Sequence, residues 1–311
     1  MDFGLMTEPQ LGVTYDELLA AARTAERIGL SVFARSDHYL FPRFTEPHAT
    51  DALATLAGLA RETDRIGLCV LVSPITFRHP GVIAKTAATI DEMSNGRFIL
   101  GVGTGWMEEE HTQFGLPFWT RGERFTRLEE ALAYLRAALG PDDTEFEGRY
   151  YRLGSAAVRP KPAGGVPIIV GGSGKRRTPT MAGVYADEYN VFADTPDGIA
   201  AKVAVMRDAA RNAGRDPGAI TVSLMGGAVT GSTESVYRRN LETIATHDPF
   251  GRSPQAIEER LTQRGLPVGP APRAREAIAA LAEAGVGRFY LQHFGPFDDA
   301  LIEDLFAALR P

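Results

Sequence analysis

"IGLCVLV", residues 66–72, is a run of seven residues without a single polar side chain. A strand with one wet face alternates apolar and polar positions. An unbroken run is expected of a strand covered on both faces, as in a parallel sheet flanked by helices. The neighbouring residues agree. Residues 53–61 read as a helix before the run. Pro80 takes the favoured first position of a helix after it, which Asn95-Gly96 closes.

The same alternation continues in both directions. Strand candidates fall at 3–6, 31–34, 66–72, 98–100, 168–170, 189–192, 220–224 and 289–291. The first intervening helix has a defined start and stop. Thr14 and Glu17 have capping-box spacing, Leu18, Ala22, Ala25 and Ile28 follow at helical period, and Gly29 ends it. Phe125, Leu128, Leu132, Leu135 and Leu139 form a long amphipathic helix. Further helices are predicted at 175–186, 196–213, 232–246, 254–264, 272–284 and 298–309. Residues 140–165 break the rhythm with Pro, Gly and aromatics and read as an inserted loop or hairpin. Eight strands joined by right-handed helical crossovers close as an α/β (β/α)8 barrel of the TIM type, here one domain over residues 1–311 with that insertion. The rival, an open doubly wound sheet, needs G-x-G-x-x-G early in the chain. Gly101, Gly103 and Gly105 have the wrong spacing for it.

Composition sets outer limits. A chain of 311 residues, 44% hydrophobic and 23% charged, can bury a large core. A net charge of −6 argues against a nucleic-acid surface. A lone cysteine, Cys69, allows no internal disulfide and fits a reducing compartment. The first residues carry neither a basic region nor a long apolar stretch, so neither a signal peptide nor a membrane span is expected, and the expected location is the cytoplasm.

In such a barrel the working residues lie where strands end. Those ends carry Asp37-His38, Ser73, Gly103-Thr104-Gly105-Trp106, Gly171-Gly172-Ser173-Gly174, Asp194 and His293. The stretch "VGGSGKRRT" (170–178) enters a helix. Free N–H groups at a helix start, glycines that admit close approach, and the cations Lys175 and Arg176 together suit a phosphate. A solvated turn with surface cations is the plain alternative. His38 sits beside a carboxylate, where an imidazole can shuttle a proton or simply bond to backbone. Asp37, His38, His48 and His79 match no metal motif, so no metal is expected. Glu108-Glu109-Glu110-His111 reads as a solvated loop or helix start, and no G-x-S-x-G nucleophile turn occurs.

Four segments together resemble the bacterial luciferase-like superfamily of flavin and deazaflavin oxidoreductases. They are "SDHY" (36–39), "RIGLCVLVSPITFRHP" (65–80), "AKTAATIDEMSNGRFILGVGTGW" (84–106), and "PIIVGGSGKRRT" with "YADEYN" (167–190). The resemblance covers most of the chain and is strongest over the first 130 residues. It is nearest the branch that uses coenzyme F-420, and FMN-dependent relatives share most of the motifs. It implies a cofactor across the C-terminal mouth of the barrel and a small-molecule substrate. Its phosphate is implied at Gly171, Gly172, Ser173, Gly174, Lys175 and Arg176. Gly103, Thr104 and Gly105 are implied near the ribityl chain. Cys69-Val70 is implied as a non-prolyl cis peptide behind the ring. Asp37 completes the cofactor-contacting set, and His38 is implied as the catalytic residue beside ring and substrate. Arg159, Lys161 and Arg177 are positioned to meet the carboxylate tail of F-420. Homodimers are common in the family.

One departure from the pattern bears on substrate. The sugar-phosphate dehydrogenase branch has a glutamate with a catalytic role after "GVGTG"; here the residue is Trp106, which cannot transfer that proton but can wall an apolar pocket. Three functions are therefore weighed: F-420-dependent hydride transfer, FMN-dependent monooxygenation, and flavin binding without catalysis. A phosphate-binding aldolase is a more distant fourth, weakened by the lack of a strand-end lysine other than Lys175.

Overall fold

The computed structural model describes residues 1–41, 48–155, 158–162 and 164–310. Eight parallel strands close a barrel: β1 (Asp2–Thr7), β2 (Val32–Arg35), β3 (Gly67–Pro74), β4 (Phe98–Gly103), β5 (Ile168–Gly172), β6 (Glu188–Phe192), β7 (Thr221–Gly226) and β8 (Arg288–His293). They follow one another around the barrel in chain order, and β8 pairs with β1 from Asp2–Arg288 to Thr7–His293. Each of the eight expected strands is one of these.

The helices are α1 (Tyr15–Arg27), α2 (Ala52–Glu62), α3 (Pro80–Met93), α4 (Glu108–Gln113), α5 (Arg121–Leu139), α6 (Arg177–Tyr185), α7 (Pro196–Asn212), α8 (Glu234–Thr246), α9 (Pro254–Gln263), α10 (Ala271–Glu283) and α11 (Asp299–Leu309). The α1 capping box forms, with the Thr14 hydroxyl accepting from the Glu17 amide and the Glu17 carboxylate accepting from the Thr14 amide. His79 caps α3 just before Pro80.

The apolar run that predicts a doubly covered strand divides its side chains between two layers. Leu68 and Val70 join the core between barrel and helices, whereas Cys69 and Leu71 pack inside the barrel with Met6, Ala34, Ile169 and Tyr290. From Leu68 to Leu71 both faces of β3 are buried and apolar, and the first buried polar side chain is Ser73 near the strand end. Cys69 is fully buried, and burial pushes its thiol well above the ordinary value, which leaves it an inert packing group.

The insertion contains a two-stranded antiparallel hairpin, Phe146–Glu147 against Arg152–Leu153, with residues 156, 157 and 163 outside the described set. Between β7 and β8 the chain carries three helices. A parallel pair, Val229–Gly231 with Val268–Pro270, brackets α8 and α9 and sets them over the barrel mouth. Among the described residues, no helix is long and apolar enough to cross a membrane.

Candidate active site

The C-terminal ends of the strands open into a cavity of about 690 Å³, a size suited to a cofactor with a small substrate. Three walls meet there. The ends of β1 to β4 supply Glu8, Gln10, Ser36, His38, Val72 and Thr104; β5 supplies Gly171 and Gly172, followed by Ser173; and the α8–α9 segment supplies Phe250, Arg260 and Arg264.

His38 lies on the segment leaving β2. Its Nδ1 is 2.9 Å from Glu110 Oε2, and Glu110 Oε1 accepts from the amides of Tyr39 (2.7 Å) and Leu40 (3.2 Å). A carboxylate accepts, so Nδ1 carries a proton, and Nε2 is the remaining polar atom of the ring. In the neutral ring Nε2 is a base; in the charged ring it is an acid. Burial pushes the imidazole down. The hydrogen bond and charge of Glu110 push it up further, and the net lies above the ordinary histidine value. Trp106 stands edge-on to His38, ring centroids 5.7 Å apart, and is 65% exposed at the cavity mouth.

Glu110 and His111 correct the expectation of a solvated acidic loop. Both lie in the short helix α4, Glu110 in its first turn as expected of a helix start, yet both are buried, His111 bonding the Met107 carbonyl and the Thr76 hydroxyl. The local sequence shows three consecutive glutamates; only the turn that brings α4 onto the His38 segment separates the third from its solvated neighbours.

Asp37 is also corrected. It is buried and does not face the cavity. It accepts from Ser73 Oγ (2.7 Å) and pairs with Arg78, which also pairs with Asp51. Arg35, fully buried, spends its guanidinium on the Ser36 carbonyl and on Thr50 and Thr55, and burial pulls it down to about 10. This network braces the backbone on either side of His38.

The non-prolyl cis peptide lies at Leu71-Val72, two residues beyond the expected Cys69-Val70. The β3–β4 register shifts between Val70 and Ser73, so the irregularity falls at the strand's last turn into the cavity and not in its regular middle. Leu71 and Val72 line the cavity, while Cys69 and Val70 are core. Val72 explains two glycines. A Cβ on Gly103 would come 2.8 Å from Val72 Cγ2, and one on Gly171 would come 2.9 Å from Val72 Cγ1.

Of the glycine turn, Gly171, Gly172 and Ser173 line the cavity; Gly174, Lys175 and Arg176 lie past its wall, with the two cations exposed. Gly172 has φ +152°, a conformation L-residues rarely adopt. Helix α6 starts at Arg177, later than expected, and no side chain caps it. Uncapped N–H groups beside a glycine wall fit an anionic group such as a cofactor phosphate. The cations meant for a cofactor tail are engaged elsewhere. Arg159 pairs with Asp143, Lys161 bonds carbonyls of residues 138, 140 and 142, and Arg177 stacks on Phe125. Asp194 pairs with Lys202, and buried His293 bonds the Pro296 carbonyl. Among the described residues, no group of three or more potential metal ligands converges.

Sequence reasoning missed Glu8, Gln10 and Gln292 as well as Glu110. Glu8 directly follows β1, so the strand-end rule applied to the first strand was the available signal.

The family model described as luciferase-like monooxygenase matches residues 1–295. An F-420-dependent glucose-6-phosphate dehydrogenase of Microbacterium testaceum is 38% identical over 175 residues, 56% of this chain and 52% of its own. The pyrimidine monooxygenase RutA of Enterobacter cloacae is 31% identical over 57% of this chain and 50% of its own. The chain thus spans about half the length of these curated relatives. Among solved structures, coenzyme F-420-dependent tetrahydromethanopterin reductase from Methanopyrus kandleri superposes with a TM-score of 0.79 at 21% identity, covering 99% of both chains. Monooxygenase RslO1 from Streptomyces bottropensis gives 0.82 at 22%, covering 99% and 98%. With a closed parallel barrel, a mouth built as described and a family match over nearly its whole length, this chain belongs to the luciferase-like monooxygenase family.

Proposed function

We propose that the protein is an oxidoreductase that transfers hydride between coenzyme F-420 and a small organic substrate. The observation that carries this reading is one cavity holding both a glycine wall beside an uncapped helix and a histidine whose Nε2 is set up as acid or base by a buried carboxylate on Nδ1. When bound, the deazaflavin supplies two-electron hydride chemistry and handles oxygen and single electrons poorly; the protein binds and orients. Gly171, Gly172, Ser173 and the first turn of α6 would hold its phosphate. Leu71, Val72, Gly103, Thr104 and Gly105 would take the body of the cofactor.

His38 moves the proton that must accompany hydride. Neutral, its Nε2 accepts a proton from a substrate hydroxyl; charged, it returns one to a developing oxyanion. Glu110 fixes the tautomer and stabilises the charged ring. Trp106 shields the reacting face from water.

The relatives named as glucose-6-phosphate dehydrogenases raise that substrate directly. Arg260 and Arg264 on the cavity wall suit an anionic group, but Trp106 replaces the glutamate of that branch, so an anionic substrate without sugar-phosphate oxidation is the preferred form. FMN-dependent monooxygenation is the second reading, favoured by the family match and by the RutA likeness. Flavin binding without catalysis is disfavoured by the His38–Glu110 pair. A cytoplasmic homodimer remains part of the proposal.

Direct competition of F-420 and FMN for the purified protein tests the reading, followed by F-420 reduction with alcohols that carry or lack a negative charge. Tighter F-420 binding is expected. Tighter FMN binding with substrate-dependent oxygen uptake would promote the monooxygenase.

A further inference from the structure

Glu8 is a carboxylate at the end of β1 that faces the cavity and is only 8% exposed. Its surroundings are fixed by a chain of hydrogen bonds. Ser36 Oγ donates to Gln10 Oε1 (2.7 Å), so the Gln10 amide must present its NH2 elsewhere, and it does so to Glu8 Oε2 (2.8 Å). From β8, Gln292 Nε2 donates to Glu8 Oε1 (2.6 Å). Three cavity-lining side chains thus hold the carboxylate in one orientation.

Among the described residues no cation is hydrogen-bonded to Glu8; the charges of Arg35 and His38 act on it from farther away. The other cavity carboxylates are compensated: Glu110 holds His38 and two backbone amides, and Asp248 holds Arg252. Glu8 has no ion pair among the described residues. Two neutral amide donors leave lone-pair capacity on both oxygens, since a carboxylate offers about four acceptor sites. A largely desolvated anion in that state is stabilised by any donor that enters the cavity.

We infer that Glu8 is a substrate-contacting residue that accepts a hydrogen bond from an O–H or N–H of the substrate, and that the cavity selects substrates bearing such a donor. This rests on the oxidoreductase reading for the word substrate, but not for the binding itself. It separates alcohols and amines from carbonyl or alkene substrates without a donor, which would set their own lone pairs or π-electrons against the carboxylate. Gln10, Gln292 and Ser36 are positioning residues that aim the acceptor.

The test uses 2-aminopyridine as a compact donor probe and toluene as its donor-free counterpart, titrated by NMR into cofactor-free protein. F-420 affinity and thermal midpoint are measured in parallel. Wild type is expected to bind 2-aminopyridine at least tenfold tighter than toluene. Glu8→Gln, which keeps shape and loses charge, is expected to remove that preference while F-420 affinity and midpoint stay near wild type. Equal preference in Glu8→Gln, or no preference in wild type, would overturn the assignment. If Glu8→Gln unfolds, Gln10→Glu and Gln292→Met serve instead, because each disturbs the aim of the carboxylate and should lower the preference; unchanged preference in both overturns it too. Protein that shows the Glu8-dependent preference but binds no F-420 would sink the functional reading and leave this one standing.

Discussion

The two sides of the barrel mouth are built on opposite plans. On the β2–β4 side, almost every polar group is already spoken for: Asp37 with Arg78 and Ser73, Arg35 with Thr50 and Thr55, His38 with Glu110. On the β5 side the wall is glycine and serine, and the helix behind it has no side-chain cap. One side is rigid before anything binds; the other offers unfilled backbone donors. The difference separates labour. On the proposed function, proton transfer needs a group held to within a fraction of an ångström, which the wired side would supply. Holding an anion needs open N–H groups, which only an unwired side can offer.

The largest effect should come from cutting the wired side. Arg78 bridges Asp37 and Asp51 from a nearly buried position. Burial pulls its guanidinium down, and Asp37 with Asp51 pulls it back above the ordinary value. Arg78→Ala leaves Asp37 buried without its cation, so a loss of about 3–5 kcal/mol in urea unfolding is expected. A loss below about 1 kcal/mol would mean that the two sides do not differ in rigidity.

Next comes the histidine. His38→Ala should lower turnover at least about a hundredfold while F-420 affinity changes little, the usual scale for an acid–base group. Wild-type turnover would make His38 structural. Glu110→Gln sharpens the point. Because Glu110 raises the His38 value, that variant should lower the pH at which His38 loses its proton, read by proton NMR. The sign for stability follows: the extra stabilisation of charged His38 is fully present below the ordinary value near 6.5 and fades as pH rises through the raised folded value. Wild type should therefore lose its advantage over Glu110→Gln across that window, and a constant difference would contradict the pairing.

How much of this the amino-acid sequence discloses follows the same divide. β3 is legible because seven dry residues in a row have one architectural meaning. The glycine turn is legible because glycines before a helix are a local signal. The wired side depends on contacts across the fold. Glu110 meets His38 over 72 positions and Arg78 meets Asp37 over 41, and no local pattern marks an acid that will be buried. The family position fixes the strand and so points to Cys69-Val70, while the register shift that locates the cis bond at Leu71-Val72 is a property of the β3–β4 pairing.

The open side has its own test. Gly172→Val puts a β-branched residue where φ is +152° and a Cβ would lie 3.4 Å from Thr178. Weakening of F-420 binding by at least about tenfold, about 1.4 kcal/mol, is expected in a fluorescence titration. Unchanged affinity with an intact fold would remove the turn from the site.

The smallest effect concerns Arg159 and Lys161, which the sequence places near the exit of an F-420 tail. The structure engages both within the insertion. Arg159 makes a two-pronged contact with Asp143, at 2.8 and 2.6 Å, and Lys161 bonds the carbonyls of Ala138, Gly140 and Asp142. To reach a tail, either cation must give up those partners, so its net contribution is the difference between two exposed pairings, each screened by salt. Lys175 and Arg176 are exposed beside the glycine turn and make no close ion pair among the described residues; Lys175 has only a longer-range attraction to Asp194 to give up. Arg159→Ala should therefore change F-420 affinity by less than about twofold at any ionic strength, whereas Lys175→Ala with Arg176→Ala should weaken it more at low salt than at moderate salt. The measurement is a titration of each variant with F-420 at two salt concentrations. If Arg159→Ala weakens binding more than the double variant does, the tail leaves over the insertion, and the open side of the mouth extends further around the barrel than the glycine wall.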